Sequence, residues 1–351
     1  MPQPLPRPVN VLLVMEPNPR RKERVQAIAP DLLKVTEVSA TALASDGGGL
    51  WPGARASSAP SATSRSDRDA LLREAHVILL GVPYPKQLYT RTKSLLWVHH
   101  TAAGASNLRD SDLWGAPVPV TTSRGANAAL PIAEMAVAGA FLFAKGLHAA
   151  ARGSLERRDY AGNVSLAGKT MGIVGLGGIG AHVARLSRGV GMRVIATRRS
   201  AAQQQSNVDG VDVLFPPREL PAMLAQSDYV AVCAMLTGET ERLLDQGAFA
   251  AMKDGAVLIN IARGEIIDEP AMIAALRSGK LRGAYLDVYV GETSGPPDPA
   301  LRAFPNVVIT PHISGRADNP GAVGFDLFLE NLRRFLAGEP LKNVVDWQRG
   351  Y

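Results

Sequence analysis

The sequence predicts an α/β protein built from two doubly wound parallel-sheet domains, one inserted in the other. Two observations carry this. Unbroken apolar runs of strand length alternate with stretches of helical length, first over residues 9–100 and again from residue 170 onward, and a glycine-rich turn opens the second series directly after a strand. Strands covered on both faces read as continuous apolar runs, and βα alternation requires parallel pairing with helices over the faces. At 351 residues the chain is also long for a single hydrophobic core, so two domains are expected.

In the first series the strands are VNVLLVME (Val9 to Glu16), HVILLG (His76 to Gly81) and LLWVHH (Leu95 to His100). The stretch 45–68, rich in Gly, Ser, Ala and Pro, interrupts them and reads as a loop or insertion with no assigned role. Residues 127–151 form a long Ala-rich segment, apolar nearly all round, that reads as one buried helix with Pro131 tolerated in its first turn. Its partner is another domain or a second subunit; the second option makes the protein a homodimer through this helix.

After LAGKT (Leu166 to Thr170) six further strands follow: MGIVG, RVIAT, YVAVCAM, AVLINIA, GAYLDVY and VVIT. The final helix, 322–337, stops at Gly338 with Pro340 beyond, a helix-end signature. Its apolar face suits a return to the first domain. The expected division is therefore a substrate domain of 1–125 plus 316–351 and a dinucleotide-binding domain of 126–315.

Composition narrows the function classes. Apolar residues at 46% and charged residues at 20% argue against a disordered or fibrous chain. The net charge of +6 comes from scattered short groups with no interleaved aromatics, so no nucleic-acid partner is expected. One cysteine, Cys233, makes no internal disulfide. No signal pattern opens the chain, and the most apolar run, Met135 to Ala144, is too short to span a bilayer. A cytoplasmic protein with no membrane partner and no metal site is the expectation.

GLGGIG supplies Gly175, Gly177 and Gly180 at the G-x-G-x-x-G spacing. Such glycines allow a tight turn, close approach to a pyrophosphate and close helix–strand packing, while the helix start offers N–H groups and a positive dipole end. The context of strand before and helix after makes this a dinucleotide site. The next strand, RVIAT, ends on Arg198, Arg199 and Ser200. An acid there accepts from ribose hydroxyls, whereas a 2′-phosphate repels an acid and favours a guanidinium. NADP(H) is therefore expected over NAD(H).

Three residues follow later strands, where ligands of such sheets sit: Arg263, able to fork onto a carboxylate; Glu292; and His312, behind Pro311. Reducing a ketone by hydride needs a proton for the carbonyl oxygen, a task for His. A carboxylate steadies that imidazole, and an arginine anchors an acid substrate.

With these residues the sequence resembles the D-isomer-specific 2-hydroxyacid dehydrogenase family, through GLGGIG, SDYVAVCAMLTGET, LINIARGEIIDE, GAYLDVYVGE and TPHISG in order. The resemblance implies a Rossmann-like cofactor domain inserted in a flavodoxin-like substrate domain. It implies that Arg263 binds substrate, that His312 is the general acid in reduction and that Glu292 bonds to it. It further implies that Asp287 holds the nicotinamide carboxamide. The cofactor would also meet Gly178, Ile179, Ala234, Met235, Ile261, Ala262, His312 and Ser314. HHTAAGASNL resembles the family's substrate-carboxylate loop, with Ala103, Gly104 and His100 as substrate contacts, and TTSRGANAALPIAE resembles its entry into the dimer-forming helix. Departures are Ser106 where the family has an acid, Thr293 where it has proline, and no proline near Met235.

The implied reaction reduces a small 2-oxo acid to the 2-hydroxy acid, of D form, with glyoxylate, hydroxypyruvate or an aryl-pyruvate as candidates. Alternatives on the same fold are an NAD(P)-sensing protein of the corepressor type, or a dehydrogenase of another small anion such as formate or phosphite.

Overall fold

The structure, a computed structural model, describes residues 5–44, 64–125, 129–153, 163–292, 295–316 and 322–350. By contacts the chain divides into two compact units, one of Met1–Asn127 with Gly321–Tyr351 and one of Ala128–Pro320.

The first unit holds a five-stranded sheet. Its strands are β1 (Val9–Val14), β2 (Leu33–Val38), β3 (Val77–Leu80), β4 (Trp97–His100) and β5 (Val120–Thr122), in the order β2-β1-β3-β4-β5. All neighbours pair parallel. One face packs Val9, Val11, Leu13 and Trp97 against Phe325, Phe328, Leu329 and Leu332 of the helix Ala322–Ala337. Trp97 stacks on both Phe328 and Phe335, at 5.4 and 5.6 Å between ring centroids. The other face packs Leu12, Val14, Ile78 and Leu80 against Leu43 and Leu72. Both faces are thus covered, as the apolar runs require.

The second unit holds an eight-stranded sheet: β6 (Thr170–Val174), β7 (Arg193–Thr197), β8 (Gln205–Val208), β9 (Val211–Phe215), β10 (Tyr229–Val232), β11 (Ala256–Asn260), β12 (Leu281–Leu286) and β13 (Val307–Ile309). The order is β13-β12-β11-β10-β6-β7-β9-β8. Every pair is parallel except β8 with β9. Strand order reverses at β6, whose neighbours are β10 and β7, and the crevice beyond the carboxyl ends there is where such sheets bind ligands.

Four expectations are corrected. The helix read over 127–151 is not continuous: it spans Ala129–Ala144, then Gly146 takes a φ of 64°, and a short helix Leu147–Ala150 follows. Residues 126–128 lie outside the described set. The insertion read over 45–68 ends sooner, because Ser64 and Asp67 form a capping box that starts the helix Arg65–Glu74; residues 45–63 are not described. Strands β2, β5, β8 and β9 were not expected. Finally, the second sheet is not wholly parallel, since β8 adds an antiparallel edge.

No helix among the described residues is long and apolar enough to cross a membrane.

Candidate active site

The glycine-rich turn leaves β6 at its carboxyl end. Gly175 has a φ of 100°, and a Cβ there would lie 2.8 Å from the Ala234 backbone; one on Gly180 would lie 2.4 Å from the Gly175 carbonyl oxygen. Side chains are therefore excluded from both positions by the approach of backbone. Gly177 differs, because a Cβ there would meet nothing within 4 Å. It is the N-cap of the helix Gly178–Gly189, and no side chain caps that helix start. The first turn, carrying Gly178, Ile179 and Gly180, thus presents an unblocked, positively polarised end. The turn is tied to the next strand by Gly175 N–H and Leu176 N–H, which donate to the Thr197 carbonyl at 3.2 and 2.8 Å.

Arg198 follows β7, its N–H donating to the Phe215 carbonyl at 3.3 Å. Its Nη1 lies 2.7 Å from Asp209 Oδ2, while its Nε is buried with no hydrogen-bond partner among the described residues. Arg199 and Ser200 are exposed in the turn that follows. An open glycine cradle on an uncapped helix and an unsatisfied guanidinium N–H suit an anionic dinucleotide, so the residues fit the cofactor that the motif implies.

The three reacting candidates follow three adjacent strands, β11, β12 and β13. Beyond β11 the chain passes Ile261 and Ala262 to Arg263. Asn260 fixes this corner, accepting from Ala262 N–H at 3.1 Å and donating from Nδ2 to the Arg263 carbonyl at 2.9 Å. Burial pushes the Arg263 pKa down from its ordinary value, opposed by the carboxylates of Glu292 and Glu265. A partly desolvated guanidinium is equipped to bind a carboxylate strongly, and the nearby acids keep it charged.

His312 stands after β13 with a φ of 53°, a conformation rare outside glycine. What holds it is Asp287, fully buried at the end of β12. One Asp287 oxygen accepts from Thr310 Oγ1 at 2.6 Å and from Ile313 N–H at 2.9 Å, and the other accepts from Ser314 N–H at 2.9 Å. The His312 N–H donates to the Asp287 carbonyl at 3.0 Å. Tyr285 Oη, bonded to Thr310 Oγ1 at 2.8 Å, extends the network. On this clamped loop His312 Nδ1 meets Glu292 Oε1 at 3.0 Å, with the imidazole 31% exposed and the carboxylate side chain 10%. Since a carboxylate only accepts, Nδ1 carries the proton, and the tautomer is fixed.

The structure therefore brings Arg263, Asp287, Glu292, His312 and Ser314 to one edge of the second sheet, with Ala234 and Met235 beyond β10 on that same edge. His100, Ala103 and Gly104 belong to the first unit. His100 ends β4, buried, with Nδ1 3.2 Å from the Leu80 carbonyl oxygen and its ring edge-on to Tyr84 at 5.5 Å; Ala103 and Gly104 are partly buried in the loop that follows. Ser106 lies in the short turn Ala105–Leu108, and Thr293 lies outside the described residues. Two participants were missed in the sequence: Thr310, and Asp209, whose signal was the Asp-Gly pair flanked by Val208 and Val211, a dipeptide that marks a two-residue hairpin.

A family model described as D-isomer specific 2-hydroxyacid dehydrogenase, NAD binding domain, matches residues 138–314. The chain is 30% identical over 288 residues to a D-3-phosphoglycerate dehydrogenase of Archaeoglobus fulgidus, covering 80% of this chain and 53% of that one. It is 36% identical over 182 residues to a glyoxylate reductase of Korarchaeum cryptofilum, covering 51% and 52%. The matches thus span about half the length of these curated relatives. Among solved structures, a D-isomer specific 2-hydroxyacid dehydrogenase of Xanthobacter autotrophicus in complex with NADPH and MES superposes with a TM-score of 0.75 at 29% identity, covering 99% of this chain and 100% of that one.

Proposed function

This chain belongs to the D-isomer-specific 2-hydroxyacid dehydrogenase family, and from that membership we propose that it reduces a small 2-oxo acid to the corresponding D-2-hydroxy acid, with NADP(H) preferred over NAD(H). The observation that carries the reading is the His312–Glu292 pair at 3.0 Å, on a loop clamped by Asp287 and two strands from Arg263. When bound, the reduced nicotinamide supplies the hydride. Arg263 anchors the substrate carboxylate and draws electron density toward the oxo group. His312, its Nδ1–H held by Glu292, delivers a proton from Nε2 to the carbonyl oxygen as negative charge develops there, and Glu292 steadies the ring in both protonation states. Gly175, Gly177 and Gly180 receive the pyrophosphate, and Arg198 and Arg199 meet the 2′-phosphate. Small substrates of the glyoxylate and hydroxypyruvate size are favoured, in keeping with the names of several relatives.

The test is oxidation of NADPH and of NADH by the purified protein against glyoxylate, hydroxypyruvate and aryl-pyruvates. We expect turnover of NADPH with at least one of them, and a loss of roughly a hundredfold or more in His312→Ala with cofactor binding retained. Bound cofactor without turnover on any 2-oxo acid, or near-normal turnover in His312→Ala, would sink the assignment.

A further inference from the structure

The guanidinium that the cofactor reading gives to the 2′-phosphate already has an anionic partner. Arg198 Nη1 lies 2.7 Å from Asp209 Oδ2, with the two side chains 34% and 47% exposed. Asp209 is held there by a built turn. It and Gly210 are the two central residues between β8 and β9, with φ of 51° and 79°, and Val208 pairs with Val211 across them. Two successive positive φ values in a two-residue hairpin make a type I′ turn, which Asp-Gly and Asn-Gly favour. The arginine's other end is unsatisfied: Nε is buried without a partner among the described residues. Arg198 is thus gripped by a carboxylate through one nitrogen while a second N–H lacks an acceptor.

We propose that Asp209 is a specificity-determining residue that competes with the cofactor's 2′-phosphate for Arg198 and so limits how strongly the enzyme prefers NADP(H). The inference rests on the reading of Arg198 as the 2′-phosphate ligand. A phosphate approaching this guanidinium must displace the Asp209 carboxylate or share the cation with it. Displacement forfeits the existing ion pair, and sharing sets two anions against each other. Either cost falls on NADP(H) alone, since NAD(H) places no second anion at the ribose. Because the pair is partly exposed, the cost is modest, of the size that changes a ratio of affinities rather than abolishing binding.

Asp209→Asn is a clean probe, because Asn keeps the shape and suits the left-handed turn position at least as well. Dissociation constants for NADPH and NADH would be measured by calorimetry at low salt on the full chain, for the wild type, Asp209→Asn, Arg198→Gln and the double variant. We expect Asp209→Asn to tighten NADPH by about three- to tenfold, to leave NADH within about twofold, and to give no such gain in the Arg198→Gln background. If Arg198→Gln loses the preference for NADPH while Asp209→Asn leaves NADPH unchanged or weakened, the competition is overturned and the cofactor reading stands. Weakened NADH in Asp209→Asn would also overturn it, by making the carboxylate a ribose acceptor. An unchanged NADPH-to-NADH ratio in Arg198→Gln would remove the cofactor reading and the inference with it.

Discussion

His99, next in sequence to a proposed substrate contact, is built as a neutral core residue. It is wholly buried on β4, its Nδ1 2.8 Å from Thr121 Oγ1 and its Nε2 3.1 Å from Ser123 Oγ, and it packs on Phe328. Burial, with a smaller repulsion from His100, pushes its pKa down to about 3. In the unfolded chain the ring titrates near its ordinary value of about 6.5. Between those two pH values the unfolded state binds the proton that the native state refuses, so stability is whole above about pH 6.5 and falls as the pH drops toward 3. The steepest contribution of one such group is about 1.4 kcal/mol per pH unit. Urea unfolding of the wild type and of His99→Gln at pH 7 and pH 5 checks this. The variant is expected to be less stable at pH 7 but to lose less on acidification; an equal loss in both proteins would mean that the acid sensitivity lies in other groups.

Among the elements, Gly264 shows how the site is held to its geometry. A Cβ there would fall 2.1 Å from the Tyr289 carbonyl carbon and 2.4 Å from Val290 N, backbone atoms of the segment that leads to Glu292. The loops that carry Arg263 and Glu292 are therefore in direct backbone contact. Gly264→Ala is expected to push them apart, costing about 1–3 kcal/mol of stability from the overpacking and a larger share of turnover than of cofactor affinity, because the proposed pyrophosphate and 2′-phosphate contacts follow β6 and β7, away from this loop. Wild-type steady-state rates in Gly264→Ala would show that the contact is incidental. This contact was not legible in the sequence, whereas the strands were, wherever burial on two faces left an unbroken apolar run such as β6 or β11. The missed strands are those without that signature: β2 reads LKVTEV, half-polar at the sheet edge; β5 is three residues long; β8 reads QSNV and is exposed over most of its length; β9 reads VDVLF, its apolar run broken by Asp212. The order Arg263, Glu292, His312 was legible because each follows a strand. Asp287 was recognised, yet its clamp on residues 310–314 depends on backbone N–H groups that no sequence pattern displays. The helix read over 127–151 was overextended because Ala-rich composition hid the turn at Gly146.

At the scale of the whole molecule, the two units carry different spectroscopic labels. Among the described residues the tryptophans, Trp97, Trp114 and Trp347, fall in the unit of Met1–Asn127 with Gly321–Tyr351, whereas the glycine turn, Arg198 and the His312 loop fall in Ala128–Pro320. Each unit has its own buried core: Trp97, Phe328 and Leu13 belong to the first, Tyr229, Phe249 and Leu258 to the second. A ligand that binds only the native state of one unit stabilises that unit by RT ln(1 + [L]/Kd), about 2.7 kcal/mol at a hundredfold excess over Kd. Chains of two such units need not unfold in one step. Saturating NADPH should therefore raise the calorimetric transition of the second unit by several degrees while tryptophan emission, which watches the first, melts at nearly its original temperature. Should the tryptophan melt rise in step with the calorimetric one, the units unfold as a single cooperative block and each core depends on the other for its stability. Should neither rise, the glycine turn and Arg198 do not hold the cofactor in its native state, and the proposed activity loses its binding site.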